Sequence, residues 1–334
     1  IITIAKLIAY VRTLSLSVLA ALVDSVLDIA SQLVLNYTER HSSMQRSSAF
    51  YPAGASRLEP IGVLTCAALM GMASFEVLKE SAETLFYHSE KGTALDGVNL
   101  ASFWSMVAII FVKLGLLVLC QRADHNYLRD HDDSQAGGGG QNNNNKMSGR
   151  QSVRVADPTL EALAQDHWND ALSNGVAAVA LCFVLIDDRW WFLDPIGAII
   201  ISIYIIHSWY ATGKEQIEQL TGKAAPEELI EELQELASHF DERLIVDVCR
   251  AYHFGPKFLV ELEIVMPRET LLFESHDLGM DLQYEIESRD EVERCFVHID
   301  YERRPYDEHV VSKVPELREK LRASAKKLNM AHSV

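Results

Sequence analysis

Up to about residue 212 the chain is built of long apolar stretches, and beyond it apolar and charged residues alternate every few positions. The apolar stretches fall near 1–14, 16–37, 60–82, 99–120, 160–186 and 194–212. About twenty apolar residues in a helix cross the hydrocarbon core of a bilayer, so the pattern predicts six spans. The first is read as incomplete, because the chain opens without methionine on IITIAKLIAYV, already apolar. Between the fourth and fifth stretches, SQAGGGGQNNNNKMSG offers nothing with which to build a core. It predicts a flexible linker inside a loop of about 122–156.

Past the sixth stretch the period changes. PEELIEELQELASHF (226–240) has a helical apolar repeat, while LIVDVCRAYHF and KFLVELEIVMP alternate like strands and meet at Gly255-Pro256, a hairpin signal. ESHDLGMDLQYEIES returns to a helix and VERCFVHIDYE to a strand. The order α-β-β-α-β is most of a ferredoxin-like α+β sandwich. The predicted architecture is therefore an α-helical six-span membrane domain over 1–212, a ferredoxin-like domain over 213–310, and a tail over 311–334.

Charge orients this arrangement. The second-to-third loop carries Arg40, Arg46 and Arg57, and the fourth-to-fifth loop carries Arg122, Arg129, Lys146, Arg150 and Arg154. The other two loops hold only Lys91 and Arg189, so the positive-inside rule puts the basic loops and the C-terminal domain in the cytosol. The net charge of −17 is concentrated after Gly213, where acidic residues outnumber basic ones. Such a surface repels nucleic acid and suits a neighbourhood of divalent cations. Five scattered cysteines, never in a CxxC, predict free and mostly buried thiols.

The chemistry lies in the membrane half. LVDSVLDI places Asp24 and Asp28 four residues apart inside the second apolar run, where a carboxylate is expensive. LAQDHWNDALSN opens the fifth run with Asp166 and Asp170, again four apart, and Asn174 four further on, a spacing expected to keep them on one face. One such pair is as consistent with a structural hydrogen bond as with a site. Two matched pairs without matching Lys or Arg partners point to a cation held between two helices. Lys113, mid-span in the fourth run, could pair with one carboxylate but cannot neutralise four, and is expected to be a structural or snorkelling cation. Asn174 and Gln32 are neutral oxygens that could join the shell, or simply pack. An all-carboxylate set suits a hard ion taking several oxygens, Mn²⁺ best and Fe²⁺ next, with Mg²⁺ and Ca²⁺ admitted by hardness alone. Four crowded carboxylates cannot all ionise without a cation, which predicts exchange of metal for protons.

Taken together, LVDSVLD, YPAGASRLEPIG, DHWNDALSN, LDPIGAIIISIYII and RCFVHIDYE resemble the cation diffusion facilitator family, in particular its manganese branch in plants and algae. The resemblance runs from about residue 5 to 309, interrupted by the Gly/Asn linker. It implies a homodimeric, six-span exporter in an endomembrane (Golgi, prevacuolar or vacuolar) that trades a divalent metal for protons, with no resident cofactor. It places the transport ligands at Asp24, Asp28, Asp166 and Asp170; the zinc branch has His at position 166 instead. Two departures stand out. Ala55 occupies a position that is usually Lys in the family, with Arg57 as its stand-in. A second, cytosolic metal site of the zinc branch is matched only in part, by His276, His298 and Asp300, with Glu263 where some members have His.

Two other readings are weighed. An intramembrane aspartyl protease needs Gly-x-Gly-Asp within an apolar helix, and here the nearest match, LGMD, falls in the C-terminal domain. A transport-inactive regulatory subunit of a heterodimer would have no need of an intact set of four aspartates.

Overall fold

The computed structural model describes residues 16–44, 50–52, 54–87, 104, 107–123 and 157–303, with single positions at 319 and 323. The expected first span, the Gly/Asn linker and nearly all of the tail lie outside the described residues.

Five apolar helices follow the second to sixth runs: α1 (Leu16–Met44), α2 (Leu58–Tyr87), α3 (107–123), α4 (Pro158–Ile186) and α5 (Leu193–Thr221). Polar residues inside them satisfy themselves locally. Ser31 donates to the Leu27 carbonyl at 2.9 Å and Thr38 to those of Val34 and Leu35 at 3.0 Å, so neither hydroxyl is left bare in an apolar setting. α4 starts sharply: Pro158 occupies its first turn and the Asp157 carboxylate accepts from the amides of Thr159 (2.8 Å) and Leu160 (3.3 Å). A short 3₁₀ turn, Asp188–Phe192, links α4 to α5. Among the described residues, Leu58–Phe86 and Arg189–Thr221 are each long and apolar enough to cross a bilayer alone.

The bundle packs α2 along α5, with α1 against α2 and α4 against α5. Its core joins Leu35 of α1, Val63, Cys66 and Met70 of α2, Ala162 of α4 and Trp209 of α5. α1 and α2 approach closely because Gly62 lies where any Cβ would overlap the Thr38 side chain. The outward faces are apolar: Met72 is 70% exposed and Ile200 65%. Helices whose large apolar side chains point out and whose polar ones point in are built for lipid.

α5 does not stop where its apolar run ends near residue 212. KEQIEQL contains no helix breaker, and the helix runs to Thr221 before Gly222 caps it in the left-handed conformation (φ 76°). Beyond lie α6 (Glu227–Ser238), β1 (Ile245–Phe254), β2 (Lys257–Val265), α7 (Leu272–Glu287) and β3 (Val292–Asp300), the predicted α-β-β-α-β order. The sheet runs β1-β2-β3; β1 and β2 form an antiparallel hairpin, and β2 and β3 pair parallel with α7 as the crossover. Leu229, Leu233 and Ala237 form one stripe of α6 that packs with Val260, Leu262 and Ile264 of β2 and with Leu282 and Ile286 of α7. Burial pushes the thiols of Cys249 up to about 11 and Cys295 up to about 12, so both behave as apolar packing groups.

The hairpin turn meets the loop that enters α2. Ser56 Oγ donates to the Phe254 carbonyl at 3.3 Å, and the Arg57 guanidinium lies 4.0 Å from the centre of the Phe254 ring. Gly255, at φ 78°, lets the two backbones close up: a Cβ there would sit 3.0 Å from the Ser56 carbonyl. Ala55 is buried, so the contact to the C-terminal domain is made by its neighbours.

Candidate metal centre

Two helices bring the carboxylates together. Asp28 from α1 and Asp166 and Asp170 from α4 line one cavity of about 180 Å³, walled by apolar residues of α2 and α5 including Met70, Ile201 and Trp209. Asp166 is 5% exposed. Asp24 lies one turn before Asp28 on α1, and its side chain is outside the described residues. Three serines (Ser74, Ser173 and Ser202) add hydroxyls to the wall.

The rotation of α4 is held one residue before Asp166. Gln165 Nε2 donates to Ser208 Oγ at 3.0 Å, and Thr212 Oγ1 donates to Gln165 Oε1 at 2.6 Å. Trp168 Nε1 adds a bond to the Tyr204 hydroxyl at 3.3 Å. These three bonds tie α4 to α5 and aim Asp166 and Asp170 at the cavity, the supporting role that outer partners play around metal ligands.

Several sequence expectations change here. Lys113 does not snorkel: its ammonium forms the carboxylate pair that the sequence allowed, with Asp170 inside the bundle. Asn174 does not reach the cavity; its Nδ2 donates to the backbone carbonyl of Asp170 at 2.8 Å. A helix turns about 100° per residue, so a series spaced by four drifts about 40° at each step, and Asn174 has rotated off the face of Asp166. Gln32 is exposed. The cytosolic set does not assemble. His276 pairs with Asp277 at 3.3 Å on an exposed helix, His298 lies 3.6 Å from Asp300, and Glu263 accepts from Arg250 at 3.4 Å. Among the described residues, Asp166, His167 and Asp170 are the one group of three or more such side chains whose ligand atoms come within 4.8 Å of one another.

Two members of DHWND were not anticipated. The His167 ring belongs to that group, and Asn169, 4% exposed, lines the same cavity as the three aspartates. The helical period carried both signals. Asn169 falls about 60° to one side of Asp166 and Asp170 about 40° to the other, whereas His167 falls about 100° away, at the edge of the face.

A lipid-facing helical bundle with internal carboxylates on two helices, followed by a small α+β domain, defines a membrane protein that handles cations. Residues 1–221 match the cation efflux transmembrane domain and residues 225–302 the cytoplasmic domain of cation efflux proteins. The chain belongs to the cation efflux, or cation diffusion facilitator, family: it is a multi-pass divalent-cation efflux transporter with a cytoplasmic C-terminal dimerisation domain. It is similar to metal tolerance protein 7 of Oryza sativa subsp. japonica (33% identical over 310 residues, 92% of this chain and 70% of the relative). It is also similar to metal tolerance protein 4 of the same plant (34% over 314 residues, 93% and 70%). Metal tolerance protein 11 of Arabidopsis thaliana is 30% identical over 310 residues, 92% of this chain and 70% of the relative.

Proposed function

We propose that this transporter exports Mn²⁺ from the cytosol in exchange for protons, as a homodimer, into an endomembrane compartment or out of the cell. Asp24, Asp28, Asp166 and Asp170 form the ligand set. The observation that carries this reading is the convergence of Asp28, Asp166 and Asp170, from two helices, on one cavity inside the membrane domain. Carboxylate oxygens are hard donors and suit an ion that takes more than four of them. In the cycle, metal from the cytosol displaces protons from the carboxylates and the Lys113 ammonium from Asp170. Protons arriving from the far side reverse the exchange, and Lys113 returns to Asp170 as a tethered cation.

One observation favours a second reading, export of Zn²⁺ or Fe²⁺. The His167 imidazole stands within 4.8 Å of the ligand atoms of Asp166 and Asp170, and imidazole is a donor that zinc prefers. Flux of each metal into proteoliposomes under an imposed pH gradient separates the two. We expect Mn²⁺ flux that rises with the gradient and exceeds Zn²⁺ flux. Faster Zn²⁺ flux would transfer the assignment to zinc, and Mn²⁺ flux indifferent to the gradient would remove the proton exchange.

A further inference from the structure

We infer that Asn169 gives its side-chain carbonyl oxygen to the transported cation, and that this neutral oxygen biases the site toward ions that take more than four oxygens. The inference rests on the reading of the four aspartates as the cation site and names a further ligand within it.

Asn169 sits in α4 between Asp166 and Asp170, is 4% exposed, and lines the cavity with them and with Asp28. Neither its Oδ1 nor its Nδ2 has a hydrogen-bond partner among the described residues. A buried carboxamide with both ends unsatisfied is rare, because such groups lose their hydration without recompense. The other two amides of α4 do not share this state. Gln165 is bonded to Ser208 and Thr212, and Asn174 to the Asp170 carbonyl. Asn169 is therefore the amide of α4 that is aimed at the acid cavity and committed to nothing else. Water can satisfy it when no metal is bound, since the cavity of about 180 Å³ has room for water and offers carboxylates and serine hydroxyls as its partners.

The chemistry matches a hard ion. An amide oxygen raises the ligand count without adding negative charge, which a site already holding several carboxylates would resist. Mn²⁺ accepts the extra oxygen, whereas Zn²⁺, content with four ligands, has little use for it. His167 is placed differently: it reaches the carboxylates at the edge of the face and is not part of the cavity lining. On this arrangement Asn169 tips the balance toward manganese and His167 tips it toward zinc, from opposite sides of Asp166.

The test is equilibrium binding of Mn²⁺ and of Zn²⁺ to the full chain in lipid nanodiscs, wild type against Asn169→Leu, Asn169→Asp and Asp170→Ala. Leucine keeps the volume and removes the oxygen; aspartate keeps an oxygen at the same reach. Loss of one metal-site partner commonly weakens binding about 10–100-fold, so Asn169→Leu should lower Mn²⁺ affinity at least about tenfold while Zn²⁺ changes less than about threefold. Asn169→Asp should restore the Mn²⁺/Zn²⁺ ratio to within about threefold of wild type. An unchanged ratio in Asn169→Leu, whether both affinities fall or neither does, overturns the inference. If Asn169→Leu does not fold, Asn169→Ser, whose hydroxyl is too short to replace the amide oxygen, is judged by the same ratio. Asp170→Ala separates the two levels of the argument. If it loses both metals while Asn169→Leu shifts nothing, Asn169 alone is misassigned; if it binds both normally, the carboxylate site falls and the inference with it.

Discussion

The two halves of the molecule obey one rule against opposite solvents. In the cytoplasmic domain Leu233 and Val260 are fully buried, and charged groups that turn inward meet a partner: Glu263 accepts from Arg250 at 3.4 Å, Arg289 donates to Glu232 at 2.5 Å, and Glu287 accepts from the Cys295 amide at 2.9 Å. In the membrane half the apolar side chains face outward, and three aspartates converge inside on a cavity, one of them, Asp170, paired with the Lys113 ammonium of α3. An inward carboxylate matched one-to-one is structural. An inward cluster of carboxylates drawn from two helices is, on the proposed function, where the transported cation binds. The halves therefore differ both in which side chains face outward and in how their inward carboxylates are grouped.

The sharpest way to break this comparison is to remove one carboxylate from each half. Asp170→Ala should lower metal flux by more than about a hundredfold, since even supporting partners are worth about 10–100-fold in metal sites. Glu263→Ala should leave flux within about twofold and cost roughly 1 kcal/mol of stability in the cytoplasmic domain, because Arg250 can turn to water. Transport in liposomes and thermal unfolding of the same preparations check both, and normal flux in Asp170→Ala would contradict the site.

Next in size is the lysine. Lys113→Met takes the tethered cation off Asp170 and leaves a buried carboxylate in need of another, so equilibrium Mn²⁺ affinity should rise about tenfold while turnover falls as release slows. Titration of the purified protein with Mn²⁺ measures the first effect and liposome flux the second. Weaker Mn²⁺ binding would mean that Lys113 supports the fold and does not compete for Asp170.

Asp166→His should act more modestly. An imidazole replaces a carboxylate that is 5% exposed, a change that favours tetrahedral Zn²⁺ and removes an oxygen from Mn²⁺. In competitive uptake the Zn²⁺/Mn²⁺ ratio should rise several-fold, and an unchanged ratio with both proteins active would show that position 166 is not a ligand.

The smallest expected effect is at the contact between the halves. Arg57→Ala deletes the cation stacked on Phe254, a contact worth about 0.5–1 kcal/mol at an exposed site. Hydrogen exchange should accelerate at the 255–257 turn and at the 55–57 loop together, with flux changed by less than about threefold. Gly255→Ala should have the larger structural effect of the two, because φ 78° and the nearby Ser56 carbonyl both oppose a side chain. Faster exchange at one segment without the other would show that they are not coupled.

Much of this was legible in the order of residues. Apolar run lengths predicted α1 to α5, alternation predicted the three strands, and Gly255-Pro256 predicted their hairpin. What misled was arithmetic on a helix. Counting by fours from Asp166 reached Asn174, which bonds to backbone, and passed over Asn169, which a step of three reaches on the cavity side. That Lys113 could meet a carboxylate was legible, but which one was not, because Asp170 is 57 residues away on another helix. The histidine set of the cytosolic domain looked plausible as letters, but in space His276 lies beside Asp277, away from His298 and Asp300, and among the described residues the set forms no cluster of ligand atoms.

By itself the sequence determined which segments favour lipid and which favour water, because burial follows the count and period of apolar side chains. It also determined that acidic groups occur in pairs where they are costly. Only the tertiary structure decided that Asp28 meets Asp166 and Asp170. That depends on helix rotation and approach, set by contacts as small as the absence of a side chain at Gly62 beside Thr38 and the bonds of Gln165 to Ser208 and Thr212. Such contacts leave no periodic trace along the chain, and they aim Asp166, Asn169 and Asp170 at the same space as Asp28.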